Sequence, residues 1–194
     1  MRREEFMYTP NYCEENIYTL LQRLKETQPD GDFYVLFISN PSASVAIFRQ
    51  LKGSPDLDGL VVWDYHVVLL QGPKASSVVY DFDTTLAFPT SFKTYFELAL
   101  RSNSQIPIHL QRLYRLIAAN LYLEHFSSDR RHMRRQDGSW IAPPPANKCI
   151  RGSRAASEHT LPNYLDMTFN PHPLLTSEPY GSVIHEYNLL ERFF

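Results

Sequence analysis

Cysteine and glycine are scarce in this 194-residue sequence, with 2 and 7 respectively. Two cysteines, Cys13 and Cys149, cannot build a disulfide framework, and neither belongs to a C-x-x-C pair. So few glycines leave no Walker-type or Rossmann-type loop in which backbone amides cradle a phosphate. The one Asn-x-Ser sequence, Asn40-Pro41-Ser42, is barred from glycosylation by its proline. These absences fit a reducing interior, and the expected location is the cytoplasm or nucleus. An excess of one charge is also missing. Lys plus Arg is 19 against Asp plus Glu at 21, a net charge of −2, which gives no electrostatic reason to expect a nucleic acid or membrane partner. No apolar run approaches the roughly 20 residues of a bilayer span, and Met1-Arg2-Arg3-Glu4-Glu5 is acidic where a leader would be apolar. What is present is 43% hydrophobic and 13% aromatic, enough for a substantial core. The expectation is a soluble protein with one domain over residues 1–194.

Three zones organise the chain. Residues 9–26 read as a helix, 33–83 as strands and 89–126 as mixed helix and strand. Half of the 14 prolines fall in the last 52 residues, so the C-terminal third, about 143–194, is expected to be irregular chain laid over the core. In the first helix, Asn11 and Glu14 have capping-box spacing, and Ile17, Leu20, Leu21 and Leu24 recur at helical intervals. Cys13 then falls in the first turn, pointing inward. Phe33 to Ile38 is apolar on both faces and reads as a central strand. Ser44–Leu51, Leu60–Leu70 and Ser77–Asp83 read as further strands, with turn chemistry in Gly72-Pro73-Lys74-Ala75. A hairpin symmetric about Pro73 and Lys74 sets His66 directly opposite Asp81, on the same face and within reach. It also sets Asp83 opposite Asp64.

A thiol at a helix N-terminus is a route to a low-pKa thiolate, and a histidine held by a carboxylate supplies the matching base. Cys13, His66 and Asp81 are therefore candidates for nucleophilic catalysis. The plainer reading stays open, because a cysteine on a helix's apolar side commonly acts only as a small buried hydrophobe. His125 and His132 have no zinc-motif spacing and read as surface or structural histidines. Arg130, Arg131, Arg134 and Arg135 read as a solvated face or local ion pairs, and Cys149 as a bystander.

The blocks Tyr12-Cys13-Glu14-Glu15-Asn16, Phe37-Ile38-Ser39-Asn40, Trp63 to Leu70, Tyr80-Asp81-Phe82-Asp83-Thr84, Phe126 to Arg130 with His132-Met133, and Trp140 ahead of Pro143-Pro144-Pro145 resemble the protein N-terminal glutamine amidohydrolase family. The likeness runs through nearly the whole chain. It implies a monomeric α+β cysteine enzyme with a papain- or transglutaminase-like core, its N-terminal catalytic helix packed on an antiparallel sheet. Cofactor and metal are not expected. The implied reaction converts an N-terminal glutamine of a polypeptide to glutamate with loss of ammonia, feeding arginyl transfer in the N-degron pathway. The family's triad falls on Cys13, His66 and Asp81. Selectivity for a terminal residue calls for a carboxylate to meet the α-ammonium, with Asp129, Glu14 and Asp64 as candidates, each also readable as a cap, core hydrogen bond or ion pair. Ser39 and Asn40 are candidates to hydrogen-bond the carboxamide. A thiol peptidase, a transglutaminase or a catalytically silent peptide-binding module are the alternatives.

Overall fold

The computed structural model describes residues 1–169 and 179–194. It is an α+β fold built on one six-stranded sheet whose strands pair antiparallel throughout the described residues. In chain order the elements are α1 (Cys13–Thr27), β1 (Phe33–Ser39), β2 (Val45–Ile47), β3 (Val61–Trp63), β4 (His66–Gln71), β5 (Val78–Tyr80) and β6 (Thr90–Ser91). They continue as α2 (Phe92–Tyr95), which runs on as a π-helical turn over Phe96–Leu100, then β7 (Leu113–Ala118), α3 (Ala119–His125), β8 (Ser127–Ser128), β9 (Ile150–Arg151), α4 (Leu161–Leu165), β10 (Ser182–Ile184) and α5 (Glu186–Phe193). The main sheet has the order β10-β7-β1-β4-β5-β6.

β1 lies between β4 and β7, and a core packed on each side of the sheet explains its apolar residues on both faces. Successive strand residues point to opposite sides, so Val35 and Phe37 join the core under α1, while Leu36 and Ile38 join a second core with α2 and α5. In α1, Ile17, Leu20, Leu21 and Leu24 face the first of these cores.

Four local expectations need correction. The helix starts at Cys13, not residue 9, and Tyr12 caps it without a side-chain bond. Asn11 is in the left-handed region at φ 69° and bonds Lys52, while Glu14 turns into the interior, so no capping box forms. Asn16 instead secures the preceding segment, with both its amide groups bonded to the Thr9 backbone at 2.9 and 2.8 Å. The stretch 44–51 contributes only β2, paired with β3 in a separate small sheet, and 60–70 is two strands because Asp64 and Tyr65 interrupt the ladder.

The hairpin register is the third correction. The observed pairs are Leu69↔Tyr80, Leu70↔Val79 and Gln71↔Val78, two residues away from symmetry about Pro73 and Lys74. The connection is a longer one, Gly72 to Ser77, entered through Gly72 at φ 95° and containing a 3-10 turn at Lys74–Ser76. The ladder ends at Tyr80, so Asp83 does not pair with Asp64. The fourth correction concerns the C-terminal third, where β10 forms a sheet edge and α5 buries Leu189 and Phe193. Pro171 and Pro173 lie outside the described residues.

Candidate active site

Cys13 is the first residue of α1, at the end where backbone N–H groups lack intrahelical acceptors. It lines a cleft of about 370 Å³ together with Asn11, Trp63, Asp64, Tyr65, Asp83 and His132, and with the apolar Met133, Ile141, Leu161 and Leu165. His66 opens β4 and is fully buried. The indole of Trp63 stacks on its ring, with centroids 5.0 Å apart.

Asp81 follows directly on β5, and its Oδ1 lies 2.8 Å from His66 Nε2. The slip of two residues in register leaves the two side chains on the same face, because side-chain direction alternates with period 2. The carboxylate is saturated. Oδ1 also accepts the Asp83 backbone N–H at 2.9 Å, while Oδ2 accepts the Tyr95 hydroxyl at 2.8 Å and Gln50 Nε2 at 3.2 Å. Burial raises the pKa of Asp81, but the His66 charge and these hydrogen bonds win, and the net direction is downward. Burial likewise pulls His66 down, and the charge and hydrogen bond of Asp81 reverse the effect and raise it. With Nε2 turned to a carboxylate, Nδ1 is left as the basic nitrogen; it has no hydrogen-bond partner among the described residues.

Around the thiol the electrostatics differ from those expected of a helix start. Burial pushes the Cys13 thiol well above its usual value, and Glu14 and Asp83 push it further, against a smaller contribution from the Val67 backbone N–H. Glu14 Oε2 is 3.7 Å from Cys13 Sγ and accepts the Tyr65 hydroxyl at 3.1 Å. Its Oε1 faces His132 Nε2 at 3.4 Å. Asp83 Oδ1 accepts the Tyr8 hydroxyl at 2.6 Å. Cys13 is thus a thiol among carboxylates whose pKa is displaced upward, where the helix dipole alone would lower it.

The remaining candidates are distributed unevenly. Asp64 lines this cleft and a neighbouring cavity, also about 370 Å³, that contains Ser39 and Asn40. Ser39 donates to the Asp64 carbonyl at 2.6 Å. Asn40 spends its amide on the carbonyls of Ser44, His109 and Gln111 and holds that loop together. Asp129 lies outside the cleft lining, where it pairs with Arg131 and faces His159 Nδ1 at 3.4 Å. Of the basic cluster, Arg130 is buried in a forked ion pair with Glu15 at 2.9 and 2.8 Å, and Arg134 lies over the Trp140 ring at 4.2 Å. Cys149 is exposed. Tyr95 and Gln50 were not singled out from sequence, Trp63 and Tyr65 entered only through the block Trp63 to Leu70, and His132, read as a surface or structural histidine, lines the cleft.

His66, Asp81 and Asp83 bring ligand atoms within 4.8 Å of one another. The hydrogen bonds of Asp81 to His66 and to the Asp83 backbone account for that proximity without an ion.

The model of a family described as N-terminal glutamine amidase matches residues 8–193. A relative from Drosophila grimshawi named protein N-terminal glutamine amidohydrolase is 39% identical over 190 residues, covering 96% of this chain and 88% of the relative. Proteins of the same name from Drosophila melanogaster and Drosophila pseudoobscura pseudoobscura are 38% identical over 190 residues and 41% identical over 169 residues. The first covers 96% of this chain and 88% of the relative, the second 86% and 81%. With a match that takes in Cys13, His66 and Asp81 and runs almost from end to end, the chain belongs to the N-terminal glutamine amidase family.

Proposed function

We propose that this protein deamidates the side chain of an N-terminal glutamine through a Cys13–His66–Asp81 relay. The observation that carries this reading is a thiol at a helix start that lines a cleft and meets the backbone N–H of Val67, the residue after a histidine oriented by a buried carboxylate. His66 Nδ1 takes the thiol proton as Sγ attacks the carboxamide carbon. The tetrahedral oxyanion is met by the N–H of Cys13 at the head of α1. His66 then passes its proton to the departing nitrogen, the C–N bond breaks and ammonia leaves, with a γ-thioester on Cys13. A water molecule loses a proton to His66 and attacks that thioester; the thiol is regenerated and the product is an N-terminal glutamate.

A thiol at the start of a helix packed on an antiparallel sheet also supports reading the core as papain- or transglutaminase-like. We propose further that it acts as a monomer. Among the described residues no helix is long and apolar enough to cross a membrane. We place the enzyme in the cytoplasm or nucleus, acting on polypeptides without a nucleic acid or membrane partner, its product passing to arginyl transfer in the N-degron pathway. The test is to incubate it with a Gln-initiated peptide. Ammonia together with a Glu-initiated peptide is expected, whereas peptide cleavage or amine incorporation would mark a peptidase or a transglutaminase, and binding without turnover a silent module.

A further inference from the structure

The reaction above leaves three carboxyl groups around the nucleophile without a task. Glu14 is completely buried, 3.7 Å from Cys13 Sγ through one oxygen. Its other oxygen makes no well-aligned hydrogen bond among the described residues, with only His132 Nε2 facing it at 3.4 Å. Asp64 and Asp83 line the same cleft, and no Lys or Arg lines it among those residues. Lys52 stands at the side, over the Trp63 ring at 5.0 Å and bonded to Asn11. Tyr65 from the β3–β4 segment and His132 from the loop after β8 also line the cleft, Tyr8 and Tyr122 lie within electrostatic reach of the thiol, and His66 precedes Val67, whose backbone N–H meets it. Carboxylates against a sulfur oppose thiolate formation, a poor arrangement for a nucleophile unless a positive charge arrives with the substrate. A free polypeptide N-terminus brings one, since its α-ammonium titrates near 8.

We propose that the substrate's own α-ammonium switches on the nucleophile: entering at Asp64 and Asp83, it offsets the carboxylate field that Glu14 completes around Cys13, and lets the thiol proton pass to His66 Nδ1. The inference rests on the amidohydrolase reading and supplies a cause for its selectivity. An internal or acetylated glutamine lacks the charge and meets a thiol that stays protonated, so discrimination acts on kcat as well as on binding. Asp64, exposed at the rim, meets the ammonium, while Glu14 is a positioning residue that acts through Cys13.

The experiment measures alkylation of Cys13 by iodoacetamide near neutral pH, mapped by mass spectrometry with Cys149 as internal control. The probes are an Ala-initiated tripeptide amide, whose short side chain leaves the carboxamide site empty, and its N-acetylated form. A one-unit fall in thiol pKa is tenfold in thiolate, so the free-amine probe is expected to give at least roughly tenfold faster alkylation than the acetylated one. Glu14→Gln should alkylate faster than wild type with no probe present, and the ratio between probes should shrink towards unity. Asp64→Asn, at an exposed position, keeps the proposal testable if Glu14→Gln fails to fold, and should also reduce the ratio. Equal rates with the two probes in the wild type, no acceleration in folded Glu14→Gln, or an undiminished ratio in Asp64→Asn overturns the proposal. Ammonia release from a Gln-initiated peptide is scored on the same wild-type sample. Its absence overturns the amidohydrolase reading, whereas its presence with equal probe rates overturns only this inference.

Discussion

His66 Nε2 and Asp81 Oδ1 meet at 2.8 Å although the ladder that joins their strands stops at Leu69↔Tyr80, short of both residues. The contact is maintained by the partners of the carboxylate: Tyr95 and Gln50 on one oxygen and the Asp83 backbone on the other. Asp83 spends its own Oδ1 on Tyr8. Asp81→Asn is therefore expected to lower kcat by roughly 10³- to 10⁴-fold, because an amide at this position stabilises the wrong histidine tautomer. Asp83→Asn should act mainly on KM and leave kcat within about one order of magnitude of wild type. Steady-state ammonia release by the two variants checks the assignment; the reverse order would make Asp83 the orienting group.

The same pair sets a pH dependence of stability. His66 is raised above its ordinary 6.5, so its contribution is full below that value and is lost as pH climbs through the raised one. Asp81 is lowered from 3.8, so its contribution is present above that value and is lost as pH falls through the depressed one. Between those two ordinary values both contributions are in place. Thermal unfolding midpoints should decline as pH rises above the ordinary histidine value, and Asp81→Asn should flatten that decline.

Activity should follow a bell-shaped curve with different limbs. The thiol proton can be accepted only when His66 Nδ1 is free, so kcat/KM rises on an acid limb lying above 6.5. On the alkaline side the limb should fall near 8, where the substrate's ammonium loses its proton. A peptide whose terminal amine is replaced by a quaternary ammonium carries a fixed charge. If it is turned over, its alkaline limb should move upward.

Arg130 and Glu15 form the support under one wall of the cleft. Their side chains are 6% and 2% exposed, and Arg130 also donates to the Pro145 carbonyl at 3.0 Å, tying the loop that carries His132 and Met133 to the first turn of α1. Removing one partner strands a buried charge, so Glu15→Gln is expected to cost about 3–5 kcal/mol in urea unfolding. Retention of wild-type stability would show that the pair is dispensable.

How far the sequence could lead is seen in particular residues. The proximity of His66 and Asp81 was readable because a slip of two leaves both side chains on one face, where a slip of one would have turned them apart. The length of the Gly72–Ser77 connection was not, since Pro73 and Lys74 suit a tight turn as well as the 3-10 turn that forms. Asn11 has capping chemistry, yet its partner is Lys52 in a distant loop, which no local pattern encodes. Glu14 and His132 belong to separate segments that meet only in the folded chain, and neither alone announces the contact at 3.4 Å. Among prolines, β10 and α5 are short enough to escape notice, and their place is decided by packing on β7 and the second core.

The free amine is the next requirement. N-acetylation removes the ammonium and leaves cleft carboxylates unpaired against a neutral amide, so an acetylated Gln-initiated peptide and an internal glutamine should release no measurable ammonia under conditions that exhaust the free peptide. Comparable rates on free and acetylated peptides would describe a general glutaminase or transglutaminase.

Both half-reactions pass through the sulfur of Cys13, half-buried in the cleft. Replacing it by alanine removes little volume, and circular dichroism should report an unchanged fold. The decisive measurement is ammonia release from a Gln-initiated peptide by Cys13→Ala beside wild type and Cys149→Ala. Cys13→Ala is expected to release none above background and Cys149→Ala near-wild-type amounts; full activity in Cys13→Ala would rule out Cys13 as the nucleophile.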